Sequence, residues 1–110
     1  MLHILQNIFS KKDNGILEKM IQEGALLIDV RSQNEFSQGN VVGSVNIPLD
    51  QIENNLYHFR SKTNIIVYCR SGNRSGKAKS LLNKNGINNV TNGGTWVTIQ
   101  DILRKITEKK

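Results

Sequence analysis

The chain contains a single cysteine, and the residues around it are the ones whose types could do chemistry. Residues 65–75 read I-I-V-Y-C-R-S-G-N-R-S, so an apolar run ends at Cys69 and a basic turn begins at once. A thiol is a nucleophile only as its thiolate. That form is favoured by nearby cations, by backbone N–H groups and by the positive N-terminal end of a helix. This turn offers all three. Arg70 and Arg74 carry full charges, and a helix is expected to start near Ser75. The N–H groups of Ser71, Gly72, Asn73, Arg74 and Ser75 can turn inward as an anion-holding nest. Gly72 stands where so tight a loop needs a positive φ or a close backbone approach. Cys69 is therefore expected to be a reactive nucleophile, with the loop holding any anionic group carried on its sulfur. The plainer alternative is an inert core cysteine, but basic, turn-forming residues directly after it argue against that reading.

The two arginines have separate expected roles. Arg70 is expected to point outward and draw in an anionic substrate, with a solvated surface arginine of no such role as the alternative of nearly equal weight. Arg74 is partly buried and braces the loop against a carboxylate, with Asp29, at the end of a neighbouring strand, as the candidate partner. Asp29 as a cap of its own following turn is an equal alternative.

Other chemistries lack their residues. One cysteine and two distant histidines, His3 and His58, have no metal-ligand spacing, and no cofactor is expected. No C-x-x-C redox pair exists. G-N-R-S-G-K (72–77) resembles a nucleotide-binding P-loop, but its glycines are one residue too close and Ala78 replaces the Ser/Thr. The formal net charge is +6, which suits anionic partners, yet the basic residues are scattered and only 5% of residues are aromatic. That is a poor footprint for stacking nucleic-acid bases. No segment approaches the roughly 18 to 20 apolar residues of a membrane span. The oily start (Leu2, Ile4, Leu5, Ile8, Phe9) lacks the marks of a signal peptide and is expected to pack on the domain. A lone thiol suits a reducing compartment, and the cytoplasm is the expected location.

The elements that must position Cys69 alternate in type. Ile16, Leu17, Met20 and Ile21 share one helical face, closed by Gly24. A-L-L-I-D-V (25–30) is a continuous apolar run of the kind found in buried parallel strands. Ser32 and Glu35 have capping-box spacing, so a short helix starts there and stops near Gly39. V-N-I-P (45–48) is a short strand, and Asp50 with Glu53 marks another helix start. N-I-I-V-Y-C (64–69) is the strongest strand. Ala78, Leu81 and Leu82 line the next helix, which Gly86 closes. N-V-T (89–91) is a weak last strand, with Gly93-Gly94 as a turn. Ile99, Ile102, Leu103 and Ile106 form the stripe of a final helix. The alternation predicts one α/β domain over 1–110, with a mainly parallel sheet of about five strands flanked by helices. Ligands of such sheets bind beyond the carboxyl ends of the strands, where Cys69 stands.

Three stretches resemble one known family. C-R-S-G-N-R-S (69–75) is similar to the active-site loop C-x-x-G-x-R-S of rhodanese-like sulfurtransferases. D-V-R-S-Q-N-E-F-S-Q-G-N-V-V-G-S-V-N-I-P (29–48) resembles that family's long D-V-R…E-[FY]…G-H-I…N-[IL]-P motif, and N-G-G-T-W (92–96) its C-terminal glycine pair and tryptophan. The matches span residues 25–96. The resemblance implies a rhodanese fold and a sulfurtransferase. In such an enzyme Cys69 takes a sulfane sulfur from an anionic donor such as thiosulfate, becomes a persulfide, and passes the sulfur to cyanide, a thiol or a protein. It also implies that Arg31 and Glu35 form a structural pair one turn apart. The family's usual histidine is Asn40 here, and Trp96 is given no role in the site. A persulfide carrier loaded by a protein partner is the main alternative. Cysteine phosphatases and arsenate reductases use C-x5-R to grip a tetrahedral oxyanion, whereas Cys69 and Arg74 are spaced C-x4-R, a smaller ring suited to sulfur.

Overall fold

Four of the apolar runs form strands: β1 (Leu26–Asp29), β2 (Val45–Asn46), β3 (Ile65–Cys69) and β4 (Val90–Thr95). The computed structural model describes residues 11–60 and 63–108, with side chains from residue 14 onward. The expectation for residues 1–9 lies outside the described residues. All strand pairs are parallel, in the order β2-β1-β3-β4. The helices are α1 (Lys11–Gln22), α2 (Gln33–Ser37), α3 (Asn73–Lys84) and α4 (Trp96–Glu108), and 3-10 turns cover Leu49–Gln51 and Glu53–Phe59.

β3 is central because it can be buried on both faces. Its five residues are all buried, and they alternate sides as a strand must. Ile65, Val67 and Cys69 face Ala78 and Leu82 of α3, together with Ile52 and Phe59 from the 3-10 segment. Ile66 and Tyr68 face Leu17 of α1 and Ile99 and Ile102 of α4. The stripe 99-102-103-106 covers this second face as expected, with Leu103 and Ile106 partly buried. Burial of the Tyr68 ring pushes its phenol far above the ordinary tyrosine range.

Several expectations need correction. The sheet has four strands among the described residues, not about five. The V-N-I-P strand is only the pair Val45–Asn46, because the chain turns into a 3-10 segment at Leu49, although the Ile47 and Leu49 N–H groups still donate to the Asp29 and Val30 carbonyls. Asp50 and Glu53 open 3-10 turns, not an α-helix. Ile16 is exposed, so the inner face of α1 is made by Leu17, Met20 and Ile21. Gly93-Gly94 is not a turn, since β4 runs through it to Thr95. Val67 pairs with Asn92 and Tyr68 with Gly94, so Gly93 is the extra residue of a β-bulge. A Cβ at Gly93 would sit 2.7 Å from Ile66 Cγ2 and 3.1 Å from Ile99 Cδ1, so glycine is there for close approach.

The strand order also places the candidate site. The chain leaves β1 toward β2 on one side and leaves β3 toward β4 on the other. Their diverging loops open a crevice at the carboxyl ends of β1 and β3, a topological switch point. Asp29 and Cys69 end those two strands.

Candidate active site

Cys69 is wholly buried at the end of β3. Gly72 makes the turn possible, since its φ of 98° is left-handed, and it immediately precedes α3. That helix starts at Asn73, two residues before the expected Ser75, which puts Ser75 inside the first turn and buried. Two contacts to the sulfur follow from this geometry. The Gly72 N–H donates to Cys69 Sγ at 3.0 Å, and Ser75 Oγ lies 3.5 Å from the same sulfur. Burial pushes the Cys69 thiol up, but the Ser75 hydroxyl and the N–H groups of Ser75, Ser71 and Gly72 pull it down. The pull prevails, and the thiol lies below its ordinary value.

Arg70, Ser71 and Asn73 are exposed and form the outer rim of the loop. Arg74 does brace the loop against a carboxylate, but its partner is not Asp29. It makes a two-pronged contact with Glu35 of α2, Nη1 to Oε1 at 2.6 Å and Nη2 to Oε2 at 3.0 Å. This fork holds the Glu35 carboxyl down at about 2, mainly through the Arg74 hydrogen bond, and raises Arg74. Glu35 also completes the expected capping box with Ser32.

Asp29 is fully buried and belongs to Arg31. Its Oδ1 accepts from the Arg31 N–H (2.9 Å) and Nε (3.0 Å), and its Oδ2 from Nε (3.0 Å) and Nη2 (2.8 Å). The expected Arg31–Glu35 pairing is therefore corrected as well: each residue is paired elsewhere. The physical reason is reach. Arg31 lies two residues beyond Asp29 at the same strand end, and the first turn of α3 faces α2. Arg31 Nη2 also donates to the carbonyl of Gly39, and its guanidinium lies 4.6 Å from the ring centre of Trp96. Asn40, in the histidine's place, donates to the Phe36 carbonyl and finishes α2.

Sequence reasoning missed two residues near the loop. Trp96 lines a cleft of about 440 Å³ together with Arg31, Glu35, Gly39 and Arg70. Asn92 contacts both Ser75 and Gly72 from β4. The glycine pair was a signal for this region, but nothing marked the asparagine beside it. Among the described residues no group of three His, Cys, Asp or Glu side chains could hold a metal.

Compared with known families, residues 13–94 match the rhodanese-like domain. The chain belongs to that family. The match takes in α1, which the motifs at 25–96 did not reach. YqhL of Bacillus subtilis is 41% identical over 68 residues, covering 62% of this chain and 54% of that protein. The thiosulfate sulfurtransferase PspE of Escherichia coli is 36% identical over 69 residues, covering 61% of this chain and 66% of PspE. The chain thus spans about half the length of the first relative and just under two thirds of the second. A solved rhodanese with anions from E. coli superposes with a TM-score of 0.63 at 32% identity, covering 68% of this chain and 91% of that one. No helix among the described residues is long and apolar enough to cross a membrane.

Proposed function

We propose that this chain is a single-domain sulfurtransferase. Cys69 takes a sulfane sulfur from an anionic donor such as thiosulfate, holds it as a persulfide, and yields it to a thiol, a protein or cyanide. The observation that carries this reading is the buried, acidified Cys69 sulfur facing the Gly72 N–H and Ser75 at the end of β3. In the first step the thiolate attacks the outer sulfur of thiosulfate, the S–S bond breaks, and sulfite leaves with the electron pair. In the second step the acceptor attacks the outer sulfur of the persulfide, and Cys69 leaves as thiolate. Both steps generate an anionic sulfur at one place. Preorganised N–H donors stabilise such an anion most where water is excluded.

Arg70 is the exposed charge of the loop and meets the donor first. Ser71 and Asn73 flank the entry, and Arg74 keeps the loop closed through Glu35. Because Cys69 is 0% exposed, the loop yields to admit the donor. The arginine also supports sulfur over oxyanion chemistry. A phosphatase or arsenate reductase needs this arginine on its substrate, whereas both prongs of Arg74 are taken by Glu35. A reducing compartment such as the cytoplasm keeps the one thiol free.

Intact mass after incubation with excess thiosulfate tests the reading. We expect the gain of one sulfur atom, its removal by cyanide as thiocyanate, and neither event in Cys69→Ser, which should stay folded. A Cys69→Ser protein that still transfers sulfur would end the proposal. A wild-type thiol that alkylates but takes no sulfur from thiosulfate would move the reading to a carrier loaded by a protein donor.

A further inference from the structure

The hydrogen bonds around Ser75 reach a residue outside the loop. Asn92 lies on β4 directly before the bulge, and its side-chain amide has three partners. Nδ2 donates to the Gly72 carbonyl at 3.1 Å, while Oδ1 accepts from the Gly94 N–H at 2.9 Å and from Ser75 Oγ at 2.7 Å. Two of these partners fix the amide's orientation, because a carbonyl can only accept and a backbone N–H can only donate. The atom facing Ser75 is therefore the oxygen, which only accepts. A serine has one hydroxyl proton and two lone pairs. Here that proton is committed to Asn92, and only lone pairs remain toward Cys69 Sγ, 3.5 Å away.

That arrangement suits a neutral thiol, whose S–H can donate to Ser75 Oγ. It does not suit a sulfur anion, which would face a lone pair. On ionisation, rotation about the Ser75 Cβ–Oγ bond brings the proton to sulfur, and the change is favourable because a hydrogen bond to an anion is about twice as strong as a neutral one. Asn92 Oδ1 is not orphaned by this, since Gly94 still donates to it. The bulge at Gly93 makes the device possible: the Gly94 N–H folds back two residues onto Asn92 in an Asx-turn.

We propose that Asn92 is a positioning residue of the Cys69 site, holding the Ser75 hydroxyl proton away from sulfur in the thiol state and releasing it when the sulfur becomes an anion. This rests on Cys69 as the sulfur-carrying nucleophile. Asn92 and the sulfur thus compete for one proton, so Asn92 tunes how readily the thiol ionises. The charged groups around the sulfur are separate from this competition. Arg74 acts on Cys69 from α3 and is tied to Glu35 of α2, and Asp29 of β1 is tied to Arg31. Arg70 stands exposed in the loop, Lys77, Lys79 and Lys84 lie along α3, and Asp50, Glu53 and His58 sit on the 3-10 turns. β2 and β4 carry no ionisable side chain.

The test is the pH profile of iodoacetamide alkylation of Cys69, the only thiol, in wild type, Asn92→Ala, Ser75→Ala and the double variant. In Asn92→Ala the midpoint should fall by roughly half to one pH unit, which speeds alkylation below the midpoint about three- to tenfold. In Ser75→Ala the midpoint should rise. With Ser75 already absent, adding Asn92→Ala should leave the midpoint where it is. An unchanged or raised midpoint in Asn92→Ala, or an equal shift in both backgrounds, would overturn the proposal and leave Asn92 as a clamp on Gly72. If Asn92→Ala does not fold, Asn92→Leu removes the same acceptor with a similar volume and is judged by the same outcomes. Alkylation needs no sulfur donor, so failure to load sulfur and failure of this profile are separate results.

Discussion

Replacing Glu35 by glutamine asks whether the loop is held from α2. The carboxylate accepts both prongs of Arg74, at 2.6 and 3.0 Å, and also the Ser32 N–H and Oγ at 3.1 and 3.0 Å. Glutamine keeps the volume and an oxygen for the cap, so the change removes one prong and the charge. The two side chains are 36% and 31% exposed, and solvent screens the pair. The loss is then about 1–1.5 kcal/mol, well below that of a dry pair. For a domain of this size it is a drop in Tm of roughly 4–8 °C. The pH dependence follows from the lowering of Glu35 from 4.5 to about 2, caused chiefly by the Arg74 hydrogen bond. The unfolded chain binds the proton first as pH falls. The pair's contribution is therefore complete above pH 4.5 and lost toward pH 2. Thermal melts of wild type and Glu35→Gln should differ fully at about pH 6, and roughly half or less of that gap should remain at about pH 3. No gap at neutral pH, or one that keeps its size in acid, would refute the assignment of this pair as the tether of the loop.

Two further outcomes bear on the sheet and the rim of the site. Gly93→Ala should destabilise by about 1–3 kcal/mol in chemical denaturation, because its Cβ would meet Ile66 Cγ2 at 2.7 Å and Ile99 Cδ1 at 3.1 Å; an unchanged midpoint would mean that β4 and α4 move apart at little cost. Arg70→Gln should raise KM for thiosulfate severalfold at low salt, with kcat and melting unchanged, and the effect should shrink as ionic strength rises. A KM effect indifferent to salt would show that Arg70 does not act by charge.

The features readable from residues alone were those whose causes lie within a few positions along the chain. β3 is a five-residue apolar run, the Ser32–Glu35 box closes over three residues, and Gly72 turns the chain between Cys69 and the next helix. The loop around the proposed nucleophile was legible for the same reason: backbone donors, helix start and sulfur all lie between positions 69 and 75. Partner choice across the fold was not legible. The sequence pointed Arg74 to Asp29. Strand order and the facing of α2 and α3 decided for Glu35, 39 residues away, while Asp29 was taken by Arg31 two residues on. The same holds for Gly93, whose missing side chain reads as a turn until Ile66 and Ile99 close on it. Asn92 carries no charge and belongs to no periodic pattern. Its role exists only because parallel pairing of β3 with β4, and the bulge that follows, set a neutral amide against Ser75 and Gly72. Local conformation is governed by the sterics and hydrogen bonds of neighbouring residues, but which distant groups meet is governed by register, and register is a property of the assembled sheet.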